Sequence, residues 1–137
     1  MIRVHRNRPA AAAAPYPAAF RTVVDMDATP AIRSEIGSWP GYRVTPLLSR
    51  RGLARSLGVA DVLIKDESRR LGLGSFKALG GPFAVLQTMG ELLGISPRNG
   101  VVRSADVQRI ADRGQTAGIT IVTASDGNHG LSVAWAS

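Results

Sequence analysis

Ile64-Lys65-Asp66-Glu67-Ser68-Arg69-Arg70-Leu71-Gly72-Leu73-Gly74-Ser75-Phe76-Lys77-Ala78-Leu79-Gly80 is the stretch that decides how the rest of this chain reads. Val62-Leu63-Ile64 is a short apolar, β-branched run suited to a buried strand, and Lys65-Asp66-Glu67 sits at its carboxyl end. A glycine-bearing turn, Gly72 to Ser75, comes next. From Phe76 to Gly90 the spacing of Phe76, Leu79, Phe83 and Leu86 predicts a helix with one buried face and Ser75 as its N-cap. Gly80, Gly81 and Pro82 are poor residues for the middle of that helix.

Working outward, Leu47 to Leu57 reads as a helix stopped by Gly58, and Ser104 to Arg113 as a second short helix. Ile119-Thr120-Ile121-Val122-Thr123 is β-branched enough to predict a strand. Ser125-Asp126-Gly127-Asn128 makes a tight turn, and His129 to Trp135 begins a further helix. Residues 21–44 read as loop, ending in the Pro40-Gly41 turn. This alternation predicts the α/β class, with an open parallel sheet, right-handed crossovers and flanking helices. Ser137 falls inside the last helix without a stop signal, so the sheet is expected to be truncated.

Composition narrows the chemistry. The 137 residues include no Cys, which excludes disulfides, thiolate nucleophiles and Cys-based metal sites. Only His5 and His129 could serve as imidazole ligands, so no metal centre is expected. The net charge of +7 comes from 15 Arg and 2 Lys, and four of those arginines lie in an acid-free stretch, residues 1–24. Residues 1–41 are therefore read as an Arg/Ala/Pro-rich flexible extension and loop. A transit peptide is the alternative for the opening stretch, since such peptides are also Arg-rich and acid-poor. With 5% aromatics and no recognition motif, nucleic acid is not an expected partner. No window reaches the ~18 apolar residues of a membrane span. The expectation is a soluble, cytoplasmic protein without a membrane partner.

Ligands in open α/β sheets bind at the loops that leave the carboxyl ends of strands. Two such loops carry chemistry here. In the first, Lys77 stands at a helix entrance, where the positive end of the dipole and desolvation by Phe76 and Leu79 would favour a neutral, nucleophilic amine. An ordinary surface lysine beside a serine cap has the same spacing. In the second, the amides around Ser125-Asp126-Gly127-Asn128-His129-Gly130 could receive a carboxylate at a helix N-terminus, with Asp126 as a base. Any turn and N-cap could use those residues too.

Together the motifs are more specific. Thr45-Pro46-Leu47, Ile64-Lys65-Asp66-Glu67-Ser68, Gly74-Ser75-Phe76-Lys77-Ala78-Leu79-Gly80 and Ser125-Asp126-Gly127-Asn128-His129-Gly130 resemble, in order and spacing, the N-terminal part of fold-type II pyridoxal-phosphate enzymes. That is the tryptophan synthase β-like family, and the resemblance makes residues 42–137 a partial domain of it, incomplete at its C-terminus. Asp126 and Lys-Asp-Glu-Ser-x-Arg are most similar to the diaminopropionate ammonia-lyase group within it. The resemblance implies pyridoxal 5'-phosphate as cofactor, bound through a Schiff base to Lys77. It implies Phe76 packing on the cofactor ring and Asn128 bonded to its 3′-oxygen. Ser125, Asp126, Gly127, Asn128 and His129 would hold the substrate, with Lys77 and Asp126 as catalytic bases on opposite faces of its Cα. It further implies a small amino-acid substrate, homodimers among full-length relatives, and α,β-elimination of 2,3-diaminopropionate to pyruvate and ammonia.

The sequence departs from the family at Leu131, where Arg or Gln is common, and shows no glycine-rich phosphate loop after residue 130. Weak cofactor binding and little turnover are therefore expected. A serine/threonine dehydratase-like or threonine synthase-like enzyme is the alternative within the family, and a non-catalytic remnant the alternative outside it.

Overall fold

The computed structural model describes residues 15, 17–20, 27–125 and 127–137. After a 3-10 turn at Ala18–Phe20, helix α1 spans Thr29–Gly37, strand β1 Leu47–Ser49, helix α2 Arg51–Leu57 and strand β2 Leu63–Lys65. A second 3-10 turn, Arg70–Gly72, leads to helix α3 at Lys77–Leu92, α4 at Ser104–Ala111 and α5 at Asn128–Trp135. None of the described helices is long and apolar enough to cross a membrane.

The α/β class stands, but the sheet is not the parallel one expected. Among the described residues it has two strands, β1 and β2, paired antiparallel with Leu48 opposite Ile64. Arg50 N–H to Val62 O (2.8 Å) and Asp66 N–H to Pro46 O (3.0 Å) extend the pairing at both ends. A parallel crossover needs a longer connection than the seven-residue α2 provides, so the chain returns beside β1 in the opposite sense. The helix expected from Leu47 accordingly begins only at Arg51. Two adjacent leucines fit either period, and a pairing partner distant in sequence decides between them. Gly58 does stop α2, in the left-handed conformation at φ 66°.

Ile119 to Thr123 forms no ladder among the described residues. It keeps the side-chain alternation of a strand: Ile119 and Ile121 pack on Val85, Met89 and Val133, while Val122 is exposed. Side-chain preference favours an extended backbone; a strand also requires a neighbour, and among the described residues none pairs with this one.

The stretch read as loop contains α1. Pro30 starts it and the Ser38 hydroxyl donates to Glu35 O at 2.6 Å at its end. Ile36 and Trp39 then join Leu86 and Val102 in one core cluster. Helix α3 is the centre of the molecule, and its awkward residues have packing reasons. Pro82 is fully buried. A Cβ on Gly81 would meet Ser132 and His129 of α5 at 3.4 and 3.5 Å. At Gly90 an added Cβ would stand 2.3 Å from a Val102 methyl, so only glycine permits that approach.

Candidate functional site

Lys77 is the first residue of α3 and is half-buried. The turn before it is built from left-handed residues, with Leu71 at φ 50°, Gly72 at 73° and Gly74 at 68°. Ser75 is buried, and its hydroxyl accepts the Lys77 N–H at 3.2 Å. Ser75 thus serves the helix start from one position before the N-cap, which is Phe76. Phe76 does not belong to the buried face of α3. Its side chain is 70% exposed, because the residue precedes the first full turn, and it does not shield Lys77 from water.

The two loops singled out in the sequence come together. Phe76, Lys77, Gly80 and Gly81 on one side and Ala124, Ser125 and His129 on the other line an open cleft of about 600 Å³. Helix α5 supplies His129 because it packs directly on α3 at Gly81. Ser125 organises the start of that helix, since its Oγ accepts N–H bonds from Gly130 (2.6 Å) and Gly127 (3.1 Å). It satisfies donors that a helix start leaves without partners. Gly127 sits at φ 128°, a conformation that suits glycine. Two of the amides expected to face a carboxylate are therefore already bonded to the serine. Asn128 is exposed at the start of α5 and does not line the cleft; its carbonyl accepts the Ser132 hydroxyl at 2.7 Å. Asp126 lies outside the described residues.

The lining fits a flat aromatic aldehyde at one end. It offers one amine, and an added Cβ at Gly80 would meet nothing within 4 Å, so the wall beside Lys77 is flat and open. Lys77 is the one Lys or Arg in that lining, so a phosphate would find no further Lys or Arg there among the described residues. A separate cleft of about 420 Å³, between α3, α4 and residues 116–121, is lined by Trp39, Trp135, aliphatic side chains and the neutral polar Ser104, Gln108, Thr116 and Ser137, with no acidic or basic side chain among the described residues. It is not the chemical site. Among the described residues, no group of three acidic, His or Cys side chains could hold a metal ion.

Sequence reasoning assigned no role to Thr45, Glu67 or Arg70, although Thr45 opens one quoted motif and Glu67 and Arg70 both belong to the Lys-Asp-Glu-Ser-x-Arg run. Arg70 is 5% exposed and donates Nε to Glu67 Oε2 at 2.6 Å and Nη2 to Glu67 Oε1 at 2.9 Å. It also donates to Arg43 O at 2.7 Å and to Thr45 Oγ1 at 2.8 Å. Thr45 in turn donates to Glu67, and Lys65 Nζ donates to the Thr45 carbonyl. The hydrogen bond from Arg70 holds the Glu67 carboxyl below its usual range, and Glu67 raises the Arg70 guanidinium correspondingly. The spacing Glu67-x-x-Arg70 was the available signal.

A second acid binds the helices together. Burial pushes Glu35 upward, but hydrogen bonds from Ser104, Trp39 and Arg103 outweigh it and lower its pKa overall. Its Oε1 accepts Trp39 Nε1 and the Ser104 N–H, both at 3.0 Å, so α1 caps α4.

Comparison with known proteins gives the family to which this sequence and fold are similar. The sequence profile described as "Pyridoxal-phosphate dependent enzyme" matches residues 38–137. Over 98 residues the chain is 39% identical to the diaminopropionate ammonia-lyase of Escherichia coli (strain K12), a match covering 71% of this chain and 23% of that protein. The diaminopropionate ammonia-lyase of Salmonella typhimurium (strain LT2) is also 39% identical, over 72% of this chain and 24% of that one. The crystal structure of the E. coli enzyme in apo form superposes with a TM-score of 0.61 at 32% identity, covering 81% of this chain and 29% of that one. Its selenomethionine holo form gives 0.60 at 33% identity, over 81% and 27%. The matched stretch amounts to about a quarter of the length of these relatives.

Proposed function

This chain belongs to the family of pyridoxal-phosphate-dependent enzymes, and from that membership we propose that it carries the lysine-bearing part of a lyase site for a small amino acid. The observation that carries this reading is the meeting of Lys77, Ser125 and His129 in one open cleft, with Lys77 far in sequence from the other two. Pyridoxal phosphate, when bound, supplies the electron sink for a carbanion at the substrate Cα.

The residues of the chain do the rest. Lys77 Nζ would hold the cofactor's aldehyde carbon and, once the substrate amine has replaced it there, would take or return the proton at Cα. Phe76, exposed at the edge of the cleft, packs on the cofactor ring. Asn128 lies outside the cleft lining, so its role as donor to the ring's 3′-oxygen rests on the resemblance and would need the start of α5 to turn toward the cleft. Both N–H bonds of Ser125 enter its oxygen, which leaves the hydroxyl proton for a substrate carboxylate. His129, which lines the cleft, would complete that contact, while Gly127, its N–H already given to Ser125 Oγ, would shape the turn that presents the serine. Asp126 acts as the second base, on the opposite face of Cα. The reaction is α,β-elimination of ammonia from 2,3-diaminopropionate, giving pyruvate and a second ammonia after hydrolysis.

Borohydride reduction in the presence of pyridoxal phosphate, followed by peptide mapping, tests the assignment. Label is expected on Lys77 ahead of Lys65; equal label on both overturns it. With no Lys or Arg besides Lys77 in the cleft lining among the described residues, affinity is expected to be weak. Any turnover should favour 2,3-diaminopropionate over L-serine and L-threonine, and the opposite order would remove the ammonia-lyase assignment.

A further inference from the structure

We propose that Arg70 is a positioning residue for the Lys77 amine, acting through the turn between them rather than by contact. The proposal rests on the reading of Lys77 as the reactive amine. Arg70 does not line the cleft. Its guanidinium is locked by Glu67, Thr45 and the Arg43 carbonyl, and lies 5.4 Å from the centre of the Tyr42 ring. Its Nε, Nη1 and Nη2 nitrogens are all engaged as donors, and the residue is buried.

From this anchor the backbone has one way to reach α3. The Arg70 carbonyl accepts the Leu73 N–H at 2.8 Å, which closes the 3-10 turn. Leu71 takes a left-handed conformation that leucine adopts only when held, and its side chain packs against the Trp39, Leu86 and Val102 cluster. Gly72 and Gly74 follow in the same left-handed region. Buried Ser75 then fixes the start of the helix through the Lys77 N–H. The turn is pinned at Arg70, Leu71 and Ser75, so the origin of the Lys77 side chain is set by the Arg70 clamp. An arginine fork is suited to this, because a single ammonium cannot reach Glu67, Thr45 and the Arg43 carbonyl together.

The test follows the reactivity of Lys77 in the full chain. The protein is treated with limiting pyridoxal 5'-phosphate over a pH series and reduced with borohydride. Each labelled peptide is then quantified against the chain's α-amino group. In the unaltered chain Lys77 should react faster than a lysine in a short unstructured peptide; if it does not, the reading of Lys77 falls and this proposal with it. With Arg70→Met, assayed below its unfolding transition and with native far-UV circular dichroism, the Lys77 rate should drop about tenfold, as displaced reacting groups do. Its pH midpoint should shift as well, and Arg70→Lys should recover part of the loss. A clamp that only stabilises the fold would lower the melting temperature and leave both readouts unmoved. If Arg70→Met does not fold, Thr45→Val removes one hydroxyl from the clamp and should slow Lys77 about threefold, the effect of one hydrogen bond. A fast Lys77 in the unaltered chain, with unchanged rate and pH midpoint in a folded variant, overturns the proposal.

Discussion

Helices α3 and α5 meet over Val85, Met89 and Val133, all buried, whereas β1, α2 and β2 leave Leu47, Leu53, Leu57, Leu63 and Ile64 exposed. The helical body is held by apolar burial and by Glu35, which ties α1 to α4. Polar contacts around Arg70 tie Arg43 and Thr45, before β1, to Glu67, after β2, and the next residue, Leu71, packs on the Trp39, Leu86 and Val102 cluster of the body. A two-stranded ribbon without a covered face is marginal by itself. The difference shows why the motif Glu67-x-x-Arg70 sits where it does: it closes the two ends of a ribbon that cannot bury itself, one residue before Leu71 enters the core that can.

The largest expected effect tests the body. Leu86→Ala should cost about 3 kcal/mol in chemical denaturation, the usual loss for a buried leucine; a cost below about 1 kcal/mol would mean that the body is not packed as described. Gly90→Ala comes next. Alanine improves helix preference by about 1 kcal/mol, but its methyl must displace Val102, so a net loss of about 1.5 kcal/mol is expected in the same experiment. A stabilised variant would show that α3 can move away from Val102.

Glu35→Gln should cost about 1 kcal/mol near neutral pH, by removing charge from a buried helix cap. It carries a pH signature. Glu35 and Glu67 both have folded-state pKa values below the ordinary 4.5. Their contribution to stability is therefore present above about pH 4.5 and is lost as pH falls through the depressed folded values. In an acid titration followed by circular dichroism, Glu35→Gln should flatten that loss; an unchanged acid limb would remove Glu35 as its source. The smallest effect is at the ribbon. Leu63→Ala, at a residue 59% exposed, should stay within about 0.5 kcal/mol of the parent. A loss comparable to Leu86→Ala would abolish the distinction between the two regions.

The same division explains what the sequence made legible. Helices α3, α4 and α5 were visible because their apolar spacing is local, and Gly58 because a left-handed stop needs no partner. The Lys77 and Ser125 loops were legible as places of chemistry, since each leads into a helix. The orientation of β1 against β2 was not, because Leu47-Leu48 looks alike in either period until Ile64 is beside it. Helix α1 was hidden because Glu35, a charged residue on its buried side, looks like surface until Trp39, Ser104 and Arg103 are seen to satisfy it. Ser125 as the bonding partner of Gly127 and Gly130 was equally out of reach, since a serine before a turn does not announce which amides it takes.

Trp39 and Trp135 are the only tryptophans in the chain, and their ring centres lie 6.0 Å apart. Intrinsic emission therefore reports one spot, where the segment after α1 meets the end of α5. It registers the undocking of those two elements and is silent about the ribbon. A melt followed by fluorescence and one followed by backbone dichroism should part company once the Arg70 clamp is loosened, with the optical signal of the indoles the last to change.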